Sequence, residues 1–190
     1  MGSGHAGTAF AEVDAREVLQ KGTKELGLLV GYWQANGLFA DPPSTNRSAI
    51  FFLPKWGRIF TDELKAKWFS GNAEFFIEPL AAHFFEPFSA SAFGATFNLK
   101  YNFLSFGRWI PYWDGGGGLL WTDLAPRIPE QSTQWNFILQ TGPGLHYLVT
   151  EKLALTLSAR FNHISNANAG ERNTGINAWM FNAGFSFFLP

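Results

Sequence analysis

The sequence has no cysteine and carries little charge. Among its 190 residues there is no Cys, which excludes a scaffold held together by disulfide bonds. Charged residues make up 15% of the chain, well below the roughly 25% of an ordinary soluble domain. The formal net charge is −1, so no excess of Lys and Arg is available to neutralise phosphates, and a nucleic-acid partner is excluded. The length fits one domain of moderate size.

Long apolar runs are also missing. Gly, Asn, Lys or Pro interrupts every run before it reaches the ~20 residues that a membrane-spanning helix needs. Aromatic residues nevertheless make up 17% of the chain, and the mean hydropathy is −0.04. A closed β-barrel is the other structure that crosses a bilayer, and its strands alternate apolar with polar residues. The composition is typical of such a barrel.

Residues 92–103 alternate strictly between apolar and polar side chains. Phe97 and Tyr101 share one face, whereas Asn98 and Lys100 share the other. A period of two residues predicts a β-strand, because successive side chains in a strand point to opposite faces.

Similar alternation recurs along the chain. The other segments, two of them less regular, lie at 26–32, 48–54, 74–78, 111–121, 134–140, 153–162 and 179–187. Together these segments make eight strands, which suit a small closed barrel. The sequence therefore predicts an all-β fold, an eight-stranded antiparallel barrel over residues 24–190 with a short N-terminal extension.

Alternation alone leaves two orientations open: a soluble, lipocalin-like barrel with an apolar cavity, and a membrane barrel with an apolar outer surface. A water-facing surface would carry abundant Lys and Glu, yet the polar face is mostly Gly, Asn, Thr, Ser and Gln. Its few charged residues are Glu25, Glu74, Glu78, Lys100 and Arg160. Aromatic residues near strand ends suit interfacial girdles; they are Tyr32, Trp33, Trp109, Trp121, Trp135 and Trp179. These features favour an outer-membrane barrel with a polar lumen.

A barrel whose chain enters and leaves on the periplasmic side has its external connections at 37–47, 82–91, 122–132 and 166–174. The connection 149–152 is then a short internal turn, as bacterial barrels prefer. The connection 61–68 is long for an internal turn.

Residues 1–23 precede the first strand, and the sequence predicts a short helix or a disordered lead-in here. Ala9-Phe10-Ala11 has the small-x-small shape of a signal-peptidase site. Residues 1–11 are therefore interpreted either as the remnant of a removed signal or as a cloning scar.

His163 and Ser165 are two residues apart on the seventh strand, in phase with its apolar face. Both side chains should therefore project toward lipid at the external end of the strand. Asn177, on the eighth strand, is in phase with outward-facing Trp179 and should lie at the same level. Three polar groups on an apolar wall call for an explanation.

These three residues supply the parts of a serine esterase. A serine hydroxyl becomes nucleophilic when a base takes its proton, and the base needs a third group to orient it. Ser165, His163 and Asn177 would fill these roles, while Asn166 could donate its side-chain amide or its backbone N–H to the oxyanion. A site that faces the outer leaflet would meet the ester bonds of lipids.

The alternative interpretation is that His163 and Ser165 are polar residues at the membrane rim and that residues 166–175 merely form a turn. The other histidines, His5, His83 and His146, lack comparable neighbours and are interpreted as structural, surface or tag residues. No group of His, Asp and Glu has metal-ligand spacing, so neither a metal nor another cofactor is expected.

Residues 160–167, Arg-Phe-Asn-His-Ile-Ser-Asn-Ala, and 173–177, Asn-Thr-Gly-Ile-Asn, resemble the signature of PagL-type lipid A 3-O-deacylases. That family is an eight-stranded outer-membrane barrel that removes the ester-linked 3-hydroxyacyl chain from position 3 of lipid A. The resemblance implies that His163 is the base, Ser165 the nucleophile and Asn166 an oxyanion residue. It extends from about Tyr112 onward and is loose before that.

The sequence departs from the family at the third catalytic position, which is usually acidic and is Asn177 here. An Asn–His–Ser arrangement also resembles outer-membrane phospholipase A, but that family has twelve strands. Glu171 lies in the preceding loop, where nothing fixes its reach.

The expected function is therefore that of an outer-membrane serine esterase acting on lipid A, with lipopolysaccharide as substrate and membrane lipids around it. A non-enzymatic structural or ligand-binding barrel and a phospholipase remain alternatives. The sequence does not determine the acyl position that is attacked, or whether the protein is a homodimer.

Overall fold

A computed structural model of the chain describes residues 13–36 and 46–190. These residues form a closed barrel of eight antiparallel strands in sequence order, with β8 paired to β1. The strands are β1 (Lys24–Asn36), β2 (Ser48–Ile59), β3 (Gly71–Glu86), β4 (Ala90–Phe103), β5 (Trp109–Thr122), β6 (Trp135–Leu148), β7 (Leu153–Ser165) and β8 (Ile176–Leu189). The predicted fold class is confirmed.

The two faces of the barrel wall differ as a membrane barrel requires. Large apolar side chains lie on the outer face, where Phe97 is 55% exposed and Leu157 58% exposed. The neighbouring inward residues are polar and buried, among them Asn98 and Ser158. The interpretation as a lipid-facing outer surface is therefore confirmed over the soluble alternative, and the predicted polar interior is found in the middle and the terminal half of the lumen.

The connections divide the barrel into two ends. The end that we call the loop end carries the end of β1, the start of β2 and the connections 87–89, 123–134 and 166–175, while most of the predicted connection 37–47 lies outside the described residues. The opposite end, the terminal end, carries the connections 60–70, 104–108 and 149–152 together with the start of β1 and the end of β8. Connection 60–70 contains a short 3₁₀ helix, Lys67–Phe69.

Charged side chains fill the middle and the terminal half of the lumen. Arg160 on β7 donates from Nη1 to Glu78 Oε1 at 2.8 Å and from Nη2 to Asp114 Oδ2 at 2.7 Å. Nearer the terminal end, Lys100 pairs with Glu25 and with Glu74. These groups are fully or almost fully buried, and each charge has an oppositely charged partner on another strand.

The interior at the loop end is instead apolar, and one prediction about it was wrong. Trp33 is fully buried and packs on Phe51 and Phe84, with ring centroids 6.3 and 5.5 Å away. It therefore does not belong to an interfacial girdle. Tyr32 precedes it on β1 and is 44% exposed, so the alternation of the strand turns Trp33 inward.

Helix α1 (Ala15–Val18) covers the terminal end of the lumen. Asp14 caps it by accepting a hydrogen bond from the Arg16 N–H, and Leu19 packs into an apolar cluster with Phe188 and Ile59. The Leu19 carbonyl accepts a hydrogen bond from Asn72 Nδ2 at 2.6 Å. No helix in the described ranges is long and apolar enough to cross a membrane. The motif at residues 9–11 and His5 lie outside the described residues.

Candidate active site

The candidate site lies where β7 ends and β8 begins, at the loop end of the barrel. His163 is the direct register partner of Asn177. Its Nδ1 lies 2.7 Å from Asn177 Oδ1. His163 is half-buried and Asn177 is buried, so the contact is partly shielded from solvent. The structure thus brings two of the three residues into direct contact.

This contact determines the tautomer of the imidazole. A carbonyl oxygen only accepts hydrogen bonds, so Nδ1 carries the hydrogen and donates it to Asn177. The lone pair of the neutral ring is then on Nε2, which is the atom available to take a proton. Asn177 therefore orients His163 without supplying a charge.

Gly175 makes room for the imidazole. Its φ of +76° lies in the left-handed region, and a Cβ atom built there would be 2.7 Å from His163 Cε1. Any other residue would push the ring out of its place or strain the backbone. The sequence places Gly175 in a turn and in the family signature, but its contact with the ring depends on how the loop folds and could not be predicted.

Ser165 follows His163 on the outer face of β7 and is half-buried. Strand geometry separates the two residues by roughly twice the ~3.3 Å rise per residue. Among the described residues, no hydrogen bond joins the imidazole to the Ser165 hydroxyl. Catalytic hydrogen bonds are often loose without substrate and tighten when it binds.

Asn166 is engaged in the loop that links β7 to β8. Its backbone N–H donates to Asn173 Oδ1, and its Nδ2 donates to the Arg172 carbonyl, each at 2.9 Å. It is only 1% exposed. One of its two predicted oxyanion donors, the backbone N–H, is therefore already used within the loop. The amide carries a second hydrogen beyond the one that Arg172 accepts.

Arg172 connects this loop to the connection between β5 and β6. Its Nη2 donates to the Pro126 carbonyl at 3.0 Å and to the Gln131 carbonyl at 3.3 Å. Ser132 Oγ accepts from the Arg172 backbone N–H at 3.1 Å. Sequence reasoning missed this positioning role because the two loops are about forty residues apart and carry no shared pattern.

The β5–β6 connection is itself held by a buried ion pair. Arg47 Nη2 lies 2.5 Å from Glu130 Oε2, and Arg47 is fully buried. The Glu130 carbonyl accepts from the Thr174 N–H at 3.1 Å, one residue before Gly175. A chain of contacts thus runs from Arg47 through Glu130 to Thr174, the residue that precedes Gly175.

Glu171, His83 and His146 form no hydrogen bond or ion pair with His163 in the described part of the chain. Glu171 is exposed in the loop. His83 is exposed on the outer face of β3, and His146 is buried in the lumen, where its Nδ1 lies 2.8 Å from Thr156 Oγ1.

A shallow apolar depression lies on the outer wall toward the terminal end from the site. It has a volume of about 470 Å³, and its outward-facing lining is Pro143, Leu145, Leu157, Ala159 and Phe181. Ala159 shares the outer face of β7 with His163 and is four residues away, roughly 13 Å along the strand. The small side chain at 159 opens the wall between its larger neighbours.

A closed eight-stranded barrel with an apolar exterior and a charged interior defines an outer-membrane protein of the Gram-negative cell envelope. A family model described as lipid A 3-O-deacylase (PagL) matches residues 46–186. The chain belongs to this family. No curated protein matches the sequence.

Solved structures show the same fold at low identity. The crystal structure of the outer membrane enzyme PagL is 16% identical with a TM-score of 0.58, covering 87% of this chain and 99% of that one. Neisserial surface protein A is 15% identical with a TM-score of 0.54, covering 89% and 99%. The N-terminal barrel domain of Pseudomonas aeruginosa OprF is 14% identical with a TM-score of 0.53, covering 89% and 98%.

Proposed function

We propose that this barrel is a serine esterase of the outer membrane that hydrolyses the acyl ester at position 3 of lipid A. The observation that carries the proposal is the 2.7 Å contact between His163 and Asn177 on the outer face of a barrel from this family. A polar pair on a lipid-facing wall is costly unless it serves a purpose there. In this proposal the site faces the outer leaflet, where lipopolysaccharide is the lipid at hand.

Each residue has one task in the proposed reaction. His163 Nε2 takes the proton of Ser165 Oγ as the oxygen attacks the ester carbonyl. Asn177 holds the ring in the tautomer that leaves Nε2 basic, and the charged ring then gives its proton to the departing sugar oxygen. The acyl chain is now an ester of Ser165, and a water molecule activated by the same imidazole releases it as a carboxylic acid.

The tetrahedral intermediate needs hydrogen-bond donors at the loop end of β7. We assign this role to Asn166, whose amide has a hydrogen beyond the one bound by the Arg172 carbonyl. Asn166 directly follows Ser165 in the chain, and the contacts of Arg172 hold its amide in the loop.

The apolar depression beside Ala159 supports the proposal that the substrate is a lipid. An acyl chain bound at Ser165 could run past Phe161 along the outer face of β7 and end between Leu157 and Phe181. Such a chain stays in contact with apolar side chains over its whole length, as an amphipathic substrate requires.

The test is mass spectrometry of lipid A after reaction of the reconstituted protein with purified lipopolysaccharide. We expect the unaltered protein to remove one 3-hydroxyacyl chain and Ser165→Ala to leave lipid A intact. Phospholipids in the same vesicles serve as the comparison substrate. Release of fatty acid from phospholipid alone would identify a phospholipase, and unchanged lipids of both kinds would support a non-enzymatic barrel.

A further inference from the structure

The connection between β2 and β3 presents an apolar surface at the terminal end of the barrel, far from the candidate site. Trp68 is 73% exposed, Phe69 is 69% exposed and Leu64 is 62% exposed. They rank among the most exposed large apolar side chains of the described residues, and a water-filled space would be a poor environment for all three together.

The backbone under these side chains is ordered by hydrogen bonds. Leu64 and Gly71 exchange backbone hydrogen bonds of 2.8 and 3.1 Å, and Ser105 Oγ donates to the Lys67 carbonyl at 2.8 Å. Tyr101 Oη donates to the Phe69 carbonyl at 2.7 Å. The apolar side chains are thus held outward by the fold.

The surface continues the lipid-facing wall of the barrel. The Phe69 ring packs edge-on against Phe103, with centroids 6.3 Å apart, and Phe103 packs against Tyr101 at 5.1 Å. Both partners occupy the outer face of β4, in phase with Phe97 and Leu99. The 3₁₀ helix Lys67–Phe69 therefore lies against the outside of the wall at the terminal end of β4. Aromatic girdles of membrane proteins lie at the level of the lipid headgroups.

The acidic and the basic residues of the connection 60–70 differ in their ion pairs within the described part of the chain. The acidic residues are neutralised by the N-terminal segment: Asp62 pairs with Lys21 at 3.0 Å and Glu63 with Arg16 at 2.9 Å. Lys65 and Lys67 are exposed and form no ion pair with any residue in the described ranges. Two ammonium groups without an ion-pair partner among the described residues thus lie between the apolar side chains in the sequence.

We propose that residues 64–69 form a docking surface for anionic phospholipid in the leaflet at the terminal end. Leu64, Trp68 and Phe69 enter the boundary between headgroups and acyl chains, and Lys65 and Lys67 bind lipid phosphates. This explains why the connection is longer than an internal turn needs to be. The proposal is independent of the esterase activity.

The absence of cysteine from the chain allows a direct test with single nitroxide labels. Variants Trp68→Cys and Leu64→Cys report on the docking surface, and Asp62→Cys is the matched control on the ion-paired side. Each labelled barrel is reconstituted in vesicles of phosphatidylethanolamine with phosphatidylglycerol, or of phosphatidylcholine alone. Collision rates with oxygen and with a water-soluble nickel chelate measure the depth of each label.

Labels at 64 and 68 should collide severalfold more with oxygen than with the nickel chelate, whereas the label at 62 should show the reverse. Adding Lys65→Gln and Lys67→Gln should move the label at 68 toward water in the anionic vesicles and have little effect in phosphatidylcholine. Equal access of the chelate at 62, 64 and 68 would overturn the proposal and indicate a surface for a soluble partner. An unchanged label depth after the lysine substitutions would overturn the proposal that Lys65 and Lys67 bind lipid phosphates.

Discussion

Strand β7 carries two polar clusters on opposite sides of one wall, only three residues apart. Arg160 points into the lumen, where Glu78 and Asp114 accept hydrogen bonds from its guanidinium group. His163 points outward and contacts Asn177, with Ser165 beside it. The inner cluster is saturated by protein partners, whereas in the proposed mechanism the outer one keeps the Nε2 of His163 and the hydroxyl of Ser165 for the substrate.

The difference separates a structural from a functional use of polar residues. A buried charge with all its partners stabilises one arrangement of the strands, and its removal leaves other charges unpaired. A half-buried polar group that faces lipid contributes little to packing, and its substitution should affect chemistry more than folding.

The largest effect should come from the outer pair. His163→Ala and Ser165→Ala should each lower deacylation at least ~10³-fold, about 4 kcal/mol in the activation barrier. The double variant should lose no more than either single one, because base and nucleophile act as a unit. Steady-state rates on lipopolysaccharide measure the loss, and the heat-modifiable migration of a folded barrel should be unchanged. Additive losses would contradict the proposed pairing.

The inner cluster should show the opposite pattern. Arg160→Met leaves Glu78 and Asp114 without their guanidinium partner and should lower the free energy of unfolding by about 3–5 kcal/mol. Urea unfolding in vesicles, followed by tryptophan fluorescence, measures this change. Combining it with Glu78→Gln and Asp114→Asn removes the unpaired charges and should restore part of the stability. Stability that stayed at the level of the single variant would argue against the charge explanation.

A charged side chain on the apolar outer wall should destabilise the barrel wherever the wall lies deep in the membrane. Phe97, near the middle of β4, is 55% exposed to the surroundings of the barrel. Phe97→Arg should destabilise the folded protein by about 2–4 kcal/mol, because the guanidinium group would sit in hydrocarbon. Phe97→Leu is the control and should have a much smaller effect in the same unfolding experiment. Equal stability of both variants would place this face in water.

The sequence predicted the strands and the faces well because both depend on local alternation. The inward turn of Trp33 follows from the same rule. The prediction that Trp33 belongs to a girdle was wrong because the phase of a residue along a strand, and not its position near the strand end, decides which face it occupies. The partners of Arg160 could not be predicted in this way. Glu78 is 82 residues away on a strand that is not its neighbour, so the contact depends on the closed shape of the whole barrel.

The candidate site shows the same limit. Alternation placed Asn177 at the level of His163, but the loop contacts of Arg172 and the close approach of Gly175 arise from the packing of two connections. Neither has a periodic pattern that a sequence could display. The oxyanion role of Asn166 stays a prediction, since its amide and its backbone N–H both take part in loop hydrogen bonds.

Gly175→Ala tests whether the position of the imidazole matters. The added Cβ would lie 2.7 Å from His163 Cε1, so the ring must shift. A displacement of about 1 Å at a catalytic group can cost ~10²-fold in rate, and we expect a loss of this order in kcat. Gly107→Ala, at the terminal end, is the control for backbone strain, because Gly107 also has a left-handed φ, +60°, but no atom lies within 4 Å of the added Cβ. Equal losses in both variants would show that the effect is not specific to His163.

The smallest expected effect, and the most informative one, is that of substitutions at Asn177. Asn177→Ala removes the acceptor for His163 Nδ1 and should lower kcat by about tenfold, the value of one neutral hydrogen bond that orients the ring. Ser165 and the nitrogen that takes its proton remain, so activity should persist. Asn177→Asp keeps an acceptor oxygen at the same reach and adds a charge that stabilises the protonated ring, so its rate should equal or exceed that of the unaltered protein. Full activity of Asn177→Ala would show that Asn177 takes no part in the mechanism. In that case, a loss of activity in Glu171→Gln would indicate that Glu171 is the residue that orients His163.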